Sequence, residues 1–455
     1  MTLKSINPYD DSIIASYDQV SEKRLEQLLN QSAEQWLEWR ATPFNKRKSL
    51  LEEVAKLLRD RKEQYATLIT REVGKSISES RGEIEKCAWV CEYYAENAQR
   101  FLVSEEITTE YYKAQVDYQP LGPILAVMPW NFPFWQVFRF AAPNLMAGNV
   151  AILKHASNVS GCSLAMQQLF LDAGFPEGTF LSLLLRGSET SRLISDDRIA
   201  GVTLTGSTLA GKAVAEAAGR SIKKSVLELG GSDPYLILED ARIDLAVEKC
   251  VAGRLLNAGQ SCIGAKRFIV VASVYDAFIE KFVAKMKAAK VGNPMEEDTQ
   301  VGPLANKQFR DELHYQVEQS VARGAVIALG GEIPNGKGAF YPPTVLTNVS
   351  KGMPAYHEEL FGPVASVIMV NDEEEAIEVA NDTNFGLGAA IFTEDLKRGE
   401  RIASDSIRAG CVFINDFVKS DPRLPFGGIK ESGYGRELSL YGIREFMNVK
   451  TVVVS

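Results

Sequence analysis

The chain has 455 residues, of which 45% are hydrophobic and 24% charged, and its 50 basic and 59 acidic side chains leave a formal charge of −9. That balance suits a globular protein of two or three domains and argues against nucleic acid as the main partner, which favours a basic face. No apolar run approaches the roughly 18 residues of a membrane helix, the N-terminus lacks the apolar core of a secretion signal, and six irregularly spaced cysteines form no disulfide framework. Reduced thiols in the cytoplasm are therefore expected.

From Ser21 to about Arg100 the pattern is helical. Leu25, Leu28, Leu29, Ala33, Trp36 and Leu37 recur at three- and four-residue steps, as do Leu50, Leu51, Val54, Leu57 and Leu58, with Pro43 between the two helices. A third helix over residues 77–99 carries Ile84, Cys87, Ala88, Cys91 and Tyr94 on one stripe, and its two cysteines read as core residues. Residues 107–118 change to a β-branched and aromatic pattern, a strand or hairpin. Beyond Gly122 come strands at 124–128, 150–153, 180–185, 201–204 and 235–238, and helices at 136–146, 160–173, 209–218 and 245–256. Alternation of this kind predicts an α/β fold with parallel sheets in two lobes. The tail, residues 448–454, is β-rich and needs a strand partner in its own chain or another.

Five places stand out chemically. Asn257-Ala258-Gly259-Gln260-Ser261-Cys262-Ile263-Gly264 sets one thiol among small and polar neighbours, which leaves room for attack on another molecule; Cys262 is a candidate nucleophile. Glu228 lies in an apolar strand that ends at Gly230-Gly231. It is either paired and structural, or poorly solvated, with a raised pKa suited to a general base. Asn131, between Pro129-Trp130 and Phe132-Pro133, either caps the next helix or offers its amide to a ligand oxygen. Gly206 to Gly211 follows a strand and opens a helix, the position of a phosphate site or of a plain Gly-Ser cap. Lys154, at a strand's carboxyl end, suits a ligand or is a solvated charge. The three histidines, His155, His314 and His357, show no metal-ligand spacing, so no metal is expected.

Taken together these motifs resemble the aldehyde dehydrogenase superfamily, in its NAD(P)-dependent non-phosphorylating branch. The likeness covers essentially the whole chain, through residues 129–133, 206–211, 228–231, 259–262, 358–363 (Glu-Glu-Leu-Phe-Gly-Pro) and 425–436 (Pro-Phe-Gly-Gly-Ile-Lys-Glu-Ser-Gly-Tyr-Gly-Arg). The resemblance implies that Cys262 is the nucleophile, Glu228 the base that activates water and Asn131 the oxyanion partner. It also implies NAD or NADP as cofactor, held by Trp130, Lys154, Ser157, Gly206, Ser207, Gly211, Leu229 and Glu359, with Phe361 near the nicotinamide. The implied architecture is a Rossmann-like cofactor domain (1–106 and 123–231), an α/β catalytic domain (232–424) and a small β oligomerisation element (107–122 and 436–455). Assembly as a homodimer or homotetramer follows from the same likeness.

Within the superfamily the chain most resembles bacterial succinate-semialdehyde dehydrogenases. That likeness implies that Arg139, eight residues after Asn131, Ser420 and Phe426 receive a small aldehyde carrying a carboxylate, and an arginine fork fits a carboxylate well. A second arginine of some relatives, six residues before the cysteine, is Leu256 here, and Arg254 or Arg423 stands as its replacement. Many NAD-preferring relatives carry Lys-Pro-Ser-Glu where this chain has Lys154-His155-Ala156-Ser157; without that glutamate a 2′-phosphate is not repelled. A redox partner cysteine found in some relatives is Gly264 here. The implied reaction oxidises succinate semialdehyde to succinate through a thiohemiacetal and a thioester. The alternatives are another semialdehyde (glutarate semialdehyde), an uncharged aldehyde, a CoA-acylating reaction, or a non-catalytic protein on this fold. Glu228 argues against the CoA reaction, which has no use for a water-activating base.

Overall fold

The computed structural model describes residues 2–455. The apolar runs beyond Gly122 form a parallel sheet in the order Lys224–Glu228, Gly201–Thr205, Pro123–Met128, Val150–His155, Phe180–Ser182, with Gly433–Tyr434 added antiparallel beside Lys224–Glu228. Ile124, Leu125, Ala151, Ile152, Leu153 and Val202 are fully buried, as strands covered on both faces must be. The expected strand at 180–185 stops at Ser182, because the Leu184 carbonyl accepts from the Val20 N–H (3.1 Å) instead of continuing the ladder. The helix after Gly206 runs Thr208–Arg220.

A second sheet has the order Thr344–Thr347, Val364–Val370, Ala265–Val271, Asp233–Ile237, Gly388–Phe392, Cys411–Ile414, all parallel, with Val326–Leu329 antiparallel at one edge. The tail strand Met447–Val454 finds its partner in its own chain. It pairs antiparallel with Lys113–Pro120 from Met447↔Pro120 to Val454↔Lys113, and Glu105–Glu106 pairs on the far side. The first residues form a hairpin, Thr2–Ile6 with Ile13–Asp18, that no pattern in so short a stretch foretells.

The helical segment divides into Glu22–Trp39, Phe44–Asp60, Lys62–Val73 and Ile77–Phe101. Lys62–Val73 is absent from the three helices expected; it ends at Gly74, left-handed at φ 84°. Cys87 and Cys91 are fully buried core residues. Glu83, on the last of these helices, reaches the start of helix Trp135–Ala147. Its Oε1 accepts from the N–H groups of Phe134 (2.8 Å) and Trp135 (3.0 Å), and its Oε2 pairs with buried Lys75, whose ammonium also sits 3.7 Å over the Phe132 ring. This contact clamps two helices around the loop that carries Asn131. It also supplies the cap of helix Trp135–Ala147, so Asn131 does not cap it.

Removing one partner of a buried pair leaves the other charge uncompensated. Glu83→Ala is expected to destabilise the protein by about 3–5 kcal/mol, read as a lowered urea midpoint, with Glu83→Gln losing less because its amide oxygen still caps the helix.

Candidate active site

Helix Ile243–Leu255 ends in a turn, Leu256–Gly259, whose last three residues are left-handed: Asn257 (φ 53°), Ala258 (φ 51°) and Gly259 (φ 76°). Such a backbone costs roughly 1–2 kcal/mol for each residue with a Cβ, so its surroundings must hold it. They do so from every side. The Asn257 N–H donates to Glu79 Oε1 (2.8 Å), and its Nδ2 to the carbonyls of Asn131 (2.8 Å) and Gln260 (3.2 Å). Arg254 Nη2 donates to the Gly259 carbonyl (2.7 Å), and Lys266 Nζ to those of Ser261 and Cys262 (both 2.8 Å). Only glycine fits at 259, since a Cβ there would lie 2.2 Å from the Gly362 oxygen.

This turn delivers Cys262 to the wall shared by two cavities. The larger, about 570 Å³, is bordered by Trp130, Asn131, Gly206, Ser207, Leu229, Glu359 and Phe361, all singled out in the sequence, and by Phe309, which was not. Phe309 stacks on Trp130 (centroids 5.1 Å apart, planes at 20°) and Phe361 meets Trp130 edge-on (5.9 Å, 88°). Nothing in the pattern of helix Lys307–Val321 marks Phe309 as a wall of a site 179 positions from Trp130; only folding joins them. The smaller cavity, about 250 Å³, is bordered by Arg139, Ser420 and Phe426, by Leu256, and by Lys86, Trp135 and Glu79, which carry no sequence signal of their own.

Ser207 caps helix Thr208–Arg220 by accepting from the Ala210 N–H (3.3 Å), so the cap is real and the same loop also faces the larger cavity. Gly211 borders neither cavity. A Cβ there would lie 2.5 Å from Leu229 Cδ1, so this glycine lets the helix close on Leu229. Lys154 is 7% exposed, and burial alone pulls its ammonium pKa down; it is no solvated surface charge. Ser157 begins the short turn Ser157–Val159 just beyond it. Neither residue borders either cavity. Glu359 accepts from the Gly231 N–H (3.1 Å) and pairs with Lys266 (3.3 Å).

Glu228 is 1% exposed, and neither carboxylate oxygen has a hydrogen-bond partner among the described residues. Burial, then the neighbouring Glu437, lift its pKa well above the ordinary value against the pull of Arg139 and Arg436. The structure thus favours the poorly solvated reading over the paired one. Glu228 borders neither cavity; it lies behind the wall, on the side of Glu437. Asn131 donates from Nδ2 to the Gln260 carbonyl (3.1 Å), which leaves one amide hydrogen, and the Cys262 N–H makes no hydrogen bond among the described residues. Scarce solvent pushes the Cys262 thiol up to about 12, opposed by Arg139 and Lys266.

Arg139 is already engaged. It pairs with buried Glu437, reaches Thr205 Oγ1 (3.4 Å) and lies 4.6 Å over the Phe426 ring. Neither proposed replacement for the missing second arginine borders the smaller cavity: Arg254 braces the cysteine turn, and Arg423 points outward to Asp421.

The sequence model of the aldehyde dehydrogenase family matches residues 1–452. A probable succinate-semialdehyde dehydrogenase [NADP(+)] of Synechocystis is 49% identical over 455 residues, covering both chains completely. The succinate semialdehyde dehydrogenase [NAD(P)+] Sad of Escherichia coli is 47% identical over 448 residues, 98% of this chain and 97% of that one. The crystal structure of succinic semialdehyde dehydrogenase from Streptococcus pyogenes, in complex with NADP+, superposes with a TM-score of 0.97 at 39% identity, covering 99% of each chain.

A thiol raised to about 12 is almost wholly protonated at pH 7, and its thiolate fraction grows tenfold per pH unit below that value. Alkylation of Cys262 in the free protein by iodoacetamide, followed by peptide mass spectrometry, is therefore expected to accelerate about tenfold per unit from pH 7 to 10, without a plateau.

Proposed function

Because the chain belongs to the aldehyde dehydrogenase family, we propose that it oxidises succinate semialdehyde to succinate with NADP or NAD. The observation that carries this reading is the position of Cys262 between two cavities of different character. The larger has the size of a cofactor site, and the smaller is bordered by the cations Arg139 and Lys86 and the Ser420 hydroxyl, as a carboxylate requires.

The larger cavity fits a nicotinamide dinucleotide. Gly206 and Ser207 lie at the N-terminus of a 13-residue helix, where phosphate oxygens are favoured, and Leu229, Trp130 and Phe361 offer apolar surface for a ring. Lys154 and Glu359 would hold ribose hydroxyls. Lys154, with Ser157 in place of a carboxylate, supports acceptance of a 2′-phosphate, as do the NADP-linked names of the relatives. Held there, such a cofactor would supply the hydride acceptor needed to oxidise the Cys262 thiohemiacetal to a thioester.

The rest of the chemistry belongs to the chain's own groups. Cys262 attacks the aldehyde carbon as the thiolate, which the charges of Arg139 and Lys266 favour. The oxyanion takes the free Cys262 N–H and the second amide hydrogen of Asn131; losing one such donor costs roughly a hundred- to a thousandfold in rate. Glu228, whose pKa burial and the neighbouring Glu437 raise, takes a proton from water only in its ionised form, so thioester hydrolysis quickens as pH rises through the raised value.

We further propose that the six-stranded unit serves the cofactor and the seven-stranded unit carries the nucleophile. Exposed apolar residues at the three-stranded sheet, Tyr112 (87%) just before the strand Lys113–Pro120 and Val449 (61%) on the tail strand, support a homodimer or homotetramer. Six free cysteines support a cytoplasmic setting. Among the described residues no helix is long and apolar enough to cross a membrane.

Steady-state kinetics with NADP and NAD against succinate semialdehyde, glutarate semialdehyde and butanal test the activity. The expected result is at least a tenfold higher kcat/KM for succinate semialdehyde than for butanal; equal values would overturn the carboxylate specificity. Glu228→Gln is expected to release about one equivalent of reduced cofactor in a burst and then stall, because hydrolysis is the step lost. A monomeric mass at micromolar concentration would count against the assembly.

A further inference from the structure

Resting on the succinate semialdehyde reading, we propose that Lys86, with Ser420 beside it, is the main receptor of the substrate's distal carboxylate, and that Arg139 is the secondary one. The argument is one of charge. Arg139 lies on the smaller cavity, but its guanidinium is balanced by buried Glu437 and further engaged by Thr205 and the Phe426 ring. Its guanidinium therefore already has a carboxylate bonded to it. Lys86 borders the same cavity from helix Ile77–Phe101 and is partly buried, yet it forms no ion pair among the described residues. Its ammonium donates to Ser420 Oγ (2.8 Å) and lies 4.3 Å over the Trp135 ring.

The acids and bases around Lys86 do not compensate it. Glu83 is committed to Lys75 and to two backbone N–H groups. Glu79 accepts from Asn257 and Ser76, Asp421 pairs with Arg423, and Lys419 pairs with Asp416. Cys87, beside it on the helix, is a buried thiol pushed well above its ordinary value and so uncharged. The cavity that ends at Cys262 thus holds an ammonium without an ion-pair partner, and a cation partly withdrawn from water without a counter-ion is costly. A carboxylate completes it. Ser420 suits the same ligand: its oxygen already accepts from Lys86, so its own hydrogen is free to donate. Leu256 contributes no charge from the cysteine side, and Lys86 supplies it from the opposite element.

Burial, and then the field of Arg139, lower the Lys86 ammonium to about 8. It is therefore charged below that pH and loses its charge as pH rises through it. The test uses the ratio of kcat/KM for succinate semialdehyde to that for butanal, in which contributions of Cys262, Glu228 and the cofactor cancel. In the wild-type enzyme the ratio is expected to hold from pH 6.5 to about 7.5 and to fall several-fold by pH 9.5. Lys86→Met is expected to lower the ratio at pH 7 about 10- to 100-fold, through KM for succinate semialdehyde, and to flatten its pH profile. A flat wild-type profile, or a Lys86→Met ratio equal to wild type, overturns the assignment to Lys86. A wild-type enzyme with no preference for succinate semialdehyde at pH 7 instead overturns the reading on which the assignment rests. The wild-type profile needs no variant, so a Lys86→Met protein that fails to fold does not remove the test.

Discussion

The site depends on a backbone turn that the chain would not adopt unaided. Three left-handed residues, Asn257, Ala258 and Gly259, reverse the direction of the helix before them and aim Cys262 at the wall between two cavities. The groups that hold this turn come from distant segments: Glu79 from the long N-terminal helix, Asn131 from the loop after a strand of the six-stranded sheet, and Lys266 from a strand of the other sheet. Both sheets and the helical layer must therefore be assembled before the thiol has a defined position. Because Asn131 both holds this turn and is the proposed oxyanion partner, fold and proposed chemistry share a residue.

A second regularity concerns charge. Some buried ions in this protein have an ionic partner, as Lys75 has Glu83 and Arg139 has Glu437, and others, such as Arg254 and Arg267, donate to backbone carbonyls. Among the groups with neither an ion pair nor a backbone partner are Glu228, whose carboxyl oxygens have no hydrogen-bond partner, Lys154, whose ammonium has burial as its only influence, and Lys86, with a hydroxyl and a ring. Each is a group for which the proposed reaction has a use, respectively water, a ribose or phosphate, and a carboxylate. Since an uncompensated buried charge costs stability, its retention is best explained by a ligand that completes it.

Much of the architecture is legible along the chain because the strands of both sheets are continuous apolar runs and the helices carry clear three- and four-residue stripes. What escapes is set by contacts between remote segments. The strand at Phe180–Ser182 ends early where Val20 takes the Leu184 carbonyl, and helix Trp135–Ala147 is capped by Glu83 from 52 positions before Trp135 and not by Asn131. Phe309 and Lys86 border the cavities although each looks ordinary in its own helix. Arg139, marked by its spacing from Asn131, borders the smaller cavity, but its commitment to Glu437 could not be read from either residue's surroundings in sequence.

The sequence by itself determined the kind of fold, the family resemblance, and the identities of the thiol, the carboxylate and the amide. Residue type and local periodicity carry that information, and both are properties of short stretches. The tertiary structure decided which charges are satisfied. It showed Arg139 balanced, Lys86 unbalanced, Arg254 committed to the cysteine turn and Glu228 dry behind the cavity wall. Electrostatic pairing acts across space within a few ångströms and is indifferent to separation along the chain, so only the folded arrangement can say which ion is free to meet a substrate.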